Sequence, residues 1–394
     1  MVSVPSWPIP IGRADSLTGS SSHARIASFI ATVTEPTVPF KIPQAVLSDH
    51  MGLADYVTAI PKAELHLHLE GSIQPQTLLE LADRNGITLP YSSVDQIRAA
   101  CTYRDFRQFV DAILMHARAI RRPRDLSLVS YRIGEQMAAQ NIRYAEVTWT
   151  PQIYLGLGEP FSTLLDALND GRRRATDQWG VDMRWIPDIV RSLSVPADSL
   201  VQSLCGAQAR AGGVVALGLG GIEAEHPPET FADCFRRARE LGVVANPHAG
   251  EFAGPSSVWG ALRALKASRI GHGVRSVEDP QLVRFLADHR IPLEVCPTSN
   301  VRLNVVASYE AHPLELLVES GCRVTINSDD PVLFDTTLSA EYLHAVEDCG
   351  LTLDQLETCA LEAVSASYLP QQRKASMLEG FRSDYARLRS VHGV

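Results

Sequence analysis

From Ala63 onward the chain alternates two patterns: short apolar-rich segments of period two, and longer stretches of period near 3.6. These are the signatures of strand and helix. The first strand reads Ala63-Glu64-Leu65-His66-Leu67-His68-Leu69-Glu70-Gly71, with histidine or acid alternating with alanine or leucine. That alternation places His66, His68 and Glu70 on one face and the three leucines on the other. Further strand signals lie at 143–150, 183–190, 214–221, 243–251, 269–273, 292–300 and 323–330. Helical stretches fall at 75–85 and then at 161–179, 198–212, 228–241, 256–267, 279–289 and 312–320. Gly242 and Gly321 close helices just before the next strand. About eight β-then-α units predict an α/β fold, a (β/α)8 TIM barrel. A doubly wound open sheet is disfavoured, because no Gly-rich phosphate turn follows the first strand.

Three segments lie outside this alternation. Residues 91–122 carry helical pattern through Phe106, Phe109, Ile113 and Leu114, and no strand separates them from the helix at 126–140. Residues 86–123 therefore read as a helical insertion after strand one, placed to act as a lid over the mouth of the barrel. After the last strand, Leu338, Tyr342 and Val346, then Met377, Phe381, Tyr385 and Leu388, follow helical spacing and predict extra C-terminal helices. Residues 1–50 are rich in Pro, Ser and Thr without sustained periodicity and read as a disordered extension. Residues 51–394 then form a single barrel domain.

Composition narrows the function. The net charge of −9 and the absence of a sustained basic stripe argue against a nucleic-acid partner. No apolar run approaches the ~18 residues of a membrane helix. Seven scattered cysteines with no Cys-x-x-Cys pair argue for reduced thiols and a cytoplasmic protein. The oligomeric state is not legible.

Chemically capable residues gather at the C-terminal ends of the strands, where barrel enzymes carry their sites. Strand one ends in His66, His68 and Glu70, and strand four in Gly220-Gly221 with Glu223. Strand five ends in His248-Ala249-Gly250-Glu251, strand six in Gly271-His272-Gly273, and strand eight in Ser328-Asp329-Asp330-Pro331. His66, His68, His248 and one aspartate supply three nitrogens and an oxygen, a set suited to zinc with room for a water. Zinc lowers the pKa of such a water from ~15.7 to about 7. Glu251, three residues past a ligand, can serve as general acid. His272 can hold or deprotonate the water, and the second aspartate can position it or the substrate. Binuclear barrel hydrolases commonly bridge two metals with a lysine at the end of strand four. Here 216–221 contains none, so one metal per chain is expected.

The order His-x-His, His-Ala-Gly-Glu, Gly-His-Gly and Ser-Asp-Asp-Pro resembles the adenosine deaminase family of the amidohydrolase superfamily over residues 61–370. The resemblance implies hydrolytic deamination of a small 6-aminopurine nucleoside, adenosine or 2′-deoxyadenosine, with release of ammonia. It implies that His66, His68, His248 and Asp329 bind zinc, that Glu251 protonates purine N1, and that His272 faces the attacking water. It further implies that Asp330 meets N7, that the Gly221 backbone meets the purine edge, and that Phe106 belongs to an apolar lid. One departure bears on the substrate. The family usually has Asp where this chain has Glu70, which would meet the sugar. Glutamate at that position is familiar in adenine deaminases and in aminodeoxyfutalosine deaminase-like members, so adenine and aminodeoxyfutalosine are the alternative substrates. A barrel that binds nucleosides without turnover is the alternative of another class. It would be attractive had a ligand or Glu251 been lost, and none has.

Overall fold

A computed structural model describes residues 44–193 and 198–394, and the expectation for the leader falls outside the described residues from 1 to 43. A helix, Gln44–Ala59, begins within the remainder of that stretch. Its second half buries Tyr56 and Val57 in the core. Ser48–Val394 form one compact unit.

Eight parallel strands follow one another around a barrel in chain order. They are β1 (Lys62–His68), β2 (Ile142–Trp149), β3 (Asp182–Val190) and β4 (Ala216–Gly220). β5 (Val244–Ala249), β6 (Ile270–His272), β7 (Pro292–Val295) and β8 (Arg323–Ile326) complete the set. Strand residues are buried nearly throughout, as expected when helices cover one face and the barrel interior the other.

Three strands end at least three residues before their apolar patterns predict, each for a local reason. β1 ends at His68 because Leu69 turns to helical angles (φ −60°, ψ −46°) and Glu70–Ser72 form a 3-10 turn. Glu70 therefore does not continue the strand face of His66 and His68. β7 stops at Val295 because Pro297 opens a helix, Pro297–Arg302, at a position where its missing N–H costs nothing. β8 stops at Ile326 and gives way to side-chain bonding. Asn327 accepts from the Leu65 and His66 amides (2.9 and 3.2 Å) and donates to Thr325 O (3.1 Å).

The seam between β8 and β1 is closed by a single bridge of Leu67 to Asp329. The Asp329 amide donates to His66 O (3.1 Å), and the His68 amide donates to Asp329 O (2.8 Å). Beside it, Glu64 accepts from both the amide and the hydroxyl of Ser328 (2.9 and 2.6 Å).

The helices Pro75–Asn85 and Phe161–Trp179 run as their periodicity predicts. The insertion forms two helices, Val94–Ala99 and Phe106–Ala117. Its apolar residues build a second core of their own: Tyr103 and Phe109 pack with Leu303, Leu333 and Phe334 over the mouth of the barrel. The C-terminal helices Leu338–Glu347 and Gln371–His392 are present, with Leu353–Ala366 between them. That middle helix, absent from the periodicity reading, packs on β8 and β1 beneath the seam. Its signal was a capping box, Thr352 with Gln355. Among the described residues no helix is long and apolar enough to cross a membrane.

Pro123–Ala139 and Phe161–Trp179 pack closely along the outside of the barrel. A Cβ on Gly171 would lie 2.1 Å from Ser127 O, so the approach of the two backbones depends on a residue without a side chain. Gly171→Ala should cost about 1–3 kcal/mol through overpacking. It should lower the thermal midpoint by several degrees while leaving the catalytic rate unchanged. A midpoint equal to wild type in circular dichroism melts would show that the helices separate freely.

Candidate active site

The C-terminal ends of β1, β3, β4, β5, β6 and β8 open into one cavity of about 180 Å³. His68, Glu70, His248, Glu251, His272, Asp329 and Asp330 all line it, together with Asp188, Gly221, Glu223 and the lid residue Phe106.

Four of the expected ligand atoms converge. His68 Nε2 lies 3.3 Å from His66 Nε2 and 3.1 Å from His248 Nε2. Asp329 Oδ1 lies 3.3 Å from Nε2 of both His66 and His68. Ligand atoms held tetrahedrally about 2.0–2.1 Å from a zinc ion are separated by about 3.3–3.4 Å, so the spacing fits that ion. Imidazole lone pairs this close repel one another unless a cation lies between them. His66 shows the same demand for positive charge. Burial works against its protonation, yet Asp329 and Glu294 raise its pKa to about 10. Burial lowers His68 to about 4 and holds His248 well below the usual imidazole range. Both therefore present neutral rings, as metal ligands must.

The orientation of His66 is set from below. Its Nδ1 lies 3.0 Å from Glu294 Oε2, so the ring donates there and its Nε2 faces the cluster. Glu294 pairs with Arg269 (2.5 Å), and Arg269 pairs in turn with Glu146 (2.5 Å). All three are at most 1% exposed. Asn246 donates to Glu294 (3.1 Å), and Tyr144 and the Tyr368 amide donate to Glu146 (both 2.6 Å). Two site residues occupy left-handed backbone, Asp329 at φ +63° and His272 at φ +60°. Non-glycine residues there carry strain and persist only where the surroundings hold them, a pattern that clusters at functional sites.

The acids differ in their hold on a proton. Burial, then Asp329 and Glu223, push Glu251 well above the usual carboxylate range. Burial and the Asp329 charge do the same for Asp330, while Asp329, which interacts with three histidines, stays well below it. His272 Nε2 lies 3.7 Å from Glu251 Oε2 and 3.8 Å from Asp329 Oδ2, and burial lowers its pKa to about 3. Gly71 makes room for Asp330, since a Cβ there would fall 1.9 Å from its Oδ1. Glu70 reaches the cavity from its 3-10 turn. Its Oε1 accepts from the Thr150 amide (3.1 Å) and from Tyr154 Oη (3.0 Å), and burial raises its pKa. Phe106 lies over the cavity with its ring 4.6 Å from that of Phe252.

Several residues with supporting places in the site were given no role from the sequence. Glu223 accepts from four successive amides, those of Gly250 (2.5 Å), Glu251 (3.1 Å), Phe252 (2.8 Å) and Ala253 (2.9 Å), and so fixes the loop that carries Glu251. Arg191, buried after β3, donates to His248 O (2.6 Å). Asp188 and Glu294 are lone acids within apolar strand segments, 186–190 and 292–295, and that placement was their only signal.

A model described as adenosine deaminase matches residues 61–383. An aminodeoxyfutalosine deaminase of Streptomyces avermitilis is 39% identical over 324 residues, 82% of this chain and 90% of that protein. The solved adenine deaminase of Arthrobacter aurescens superposes with a TM-score of 0.78 at 31% identity, covering 82% of this chain and 99% of that one. An amidohydrolase from Burkholderia ambifaria with bound zinc gives a TM-score of 0.81 at 26% identity, covering 90% of this chain and 96% of that one. The match spans every strand of the barrel and every residue of the cluster, and the chain accordingly belongs to the adenosine deaminase family, hydrolases that act on a purine amidine.

Proposed function

We propose that this chain is a single-zinc aminohydrolase that removes the 6-amino group of aminodeoxyfutalosine as ammonia. The observation that carries the reaction class is Glu251, a carboxyl that burial and neighbouring charge hold well above the usual carboxylate range, beside a three-histidine, one-aspartate cluster. His66, His68, His248 and Asp329 would hold the metal. When bound, zinc supplies a Lewis acid and a lowered pKa for water. Glu251 delivers its proton to purine N1, which prepares the ring carbon for attack by water. Asp330, its pKa also raised well above the usual range, suits N7, which is an acceptor. The Gly221 backbone borders the purine edge, and Phe106 excludes bulk water from above.

Two observations support the substrate. The relative at 39% identity is named for aminodeoxyfutalosine. The cavity also has an apolar wall, built by Phe106, Phe109, Val110, Ile113, Leu114 and Ile153, which suits a nucleoside with a group beyond its sugar. The expectation of adenosine itself gives way to this reading. Adenine is the second reading. Both bonds to Glu70 fall on Oε1, which leaves Oε2 to accept from the free N9–H of a base. Seven buried cysteines, none of them in a disulfide, are in keeping with a cytoplasmic setting.

Ammonia release measured side by side on aminodeoxyfutalosine, adenine, adenosine and 2′-deoxyadenosine should give the highest kcat/KM on the first. A higher value on adenine would replace the nucleoside reading with the nucleobase one. His248→Ala should lose zinc and activity together, as read by metal analysis. Full turnover in metal-free protein would refute the zinc assignment. Glu251→Gln should retain zinc and lose roughly 10²–10⁴ in kcat, since an amide delivers no proton. A near-normal rate in zinc-loaded Glu251→Gln would place the donor elsewhere.

A further inference from the structure

Behind His272 a buried chain of hydrogen bonds leads away from the cavity. His272 Nδ1 lies 3.3 Å from Asn300 Nδ2, and Asn300 Oδ1 lies 3.1 Å from His312 Nε2. At the far end the Leu314 amide points at His312 Nδ1 over 3.1 Å. His272, Asn300 and His312 are all buried. Asn300 is held within the helix Pro297–Arg302, and its carbonyl accepts from the Val305 and Val306 amides (2.9 and 3.1 Å).

The proton positions follow from the Leu314 end without a free choice. A peptide N–H only donates, so His312 Nδ1 accepts and carries no proton. Burial lowers His312 to about 4 and keeps its ring neutral, so its one proton sits on Nε2. Nε2–H donates to Asn300, and the amide atom that receives it must be the oxygen. The amide NH2 is thereby turned towards His272 and donates to Nδ1. The proton of neutral His272 is left on Nε2, the nitrogen that faces Glu251 and Asp329.

We infer that Asn300 and His312 are positioning residues that hold His272 as its Nε2–H tautomer, so that its ring meets the attacking oxygen as a hydrogen-bond donor and not as a base. This rests on the proposed reaction for the identity of that oxygen, and it decides between the two roles open to His272 in the sequence. To accept a proton at Nε2, the ring would first have to move its own proton to Nδ1. That would set an N–H against the Asn300 NH2 and break the chain at its centre.

Asn300→Asp preserves shape but supplies only acceptors. It should accept from His312 and draw the His272 proton onto Nδ1. Nitrogen NMR of zinc-loaded protein carrying ¹⁵N-histidine, with His272→Gln to assign the signals, reads the tautomer without turnover. The wild-type ring should show a protonated Nε2 and a bare Nδ1, and Asn300→Asp should show the reverse. In the variant kcat should fall by roughly 10²–10⁴ with KM changed only a few-fold, the scale reported for a catalytic imidazole in the wrong tautomer. A wild-type His272 protonated at Nδ1 overturns the inference whatever the variants do. So does Asn300→Asp with a wild-type tautomer or a near-normal kcat. If that variant fails to fold, His312→Ala frees the amide to rotate and should give a mixture of tautomers; a single Nε2–H form would again overturn the relay. A chain that shows Nε2–H at His272 but releases no ammonia from any 6-aminopurine would refute the proposed reaction and uphold the relay.

Discussion

The seam of the barrel is where the geometry of the whole molecule is decided. β8 is joined to β1 through the backbone of Asp329, which donates to His66 O and accepts from the His68 amide. The residue that closes the sheet thus lies between two of the proposed ligands and carries a third. Two hydrogen bonds set the spacing of the three side chains above them, so the ligand cluster is as rigid as the barrel itself. The left-handed backbone of Asp329 is part of this arrangement. A residue in extended geometry would continue the strand, whereas the turn lifts its carboxylate to within 3.3 Å of both imidazoles. The strain, of order 1–3 kcal/mol, is offset by the bonds that Asn327 and Ser328 make across the seam to Leu65 and Glu64 of β1.

Beneath the cluster, the buried Glu294–Arg269–Glu146 series addresses a second constraint. Desolvating each charge costs several kcal/mol, and a buried ion is tolerable only where close partners offset that cost. Arg269 is surrounded by two carboxylates, Asn246 Oδ1 (3.2 Å), the Ala366 carbonyl (3.0 Å) and the Tyr368 ring (4.0 Å). The ring of His66 inherits the rigidity of this network. Orientation of the proposed ligand is therefore built into the core and does not depend on the rim of the cavity.

Much of this was legible in the sequence. Strands of a parallel barrel are buried on both sides, so their apolar runs stand out, and their polar C-terminal ends mark the site. Strand ends were less legible at β1, β7 and β8, because there a turn at Leu69, a proline at 297 and an asparagine side chain at 327 replace the regular ladder. Such terminations are local and have no period of their own. Glu70 shows the effect: alternation assigned it to the histidine face, yet it reaches the same cavity from a turn by another route. The roles of Glu223, Glu294, Asn300 and His312 were illegible for a related reason. Each acts through a partner between 12 and 228 residues away, and a single acid, amide or imidazole has no period of its own.

The lid differs in kind from the rest of the molecule. Tyr103, Phe109, Leu303, Leu333 and Phe334 form an apolar cluster separate from the main core. Parting them exposes a few side chains and leaves every strand pairing intact, so the barrier to exchange with solvent is a local one. Thermal robustness of the scaffold and the pace of traffic through its mouth are thereby uncoupled. Substitutions in that cluster can tune residence time on the enzyme, while the chemistry below proceeds in an unaltered frame.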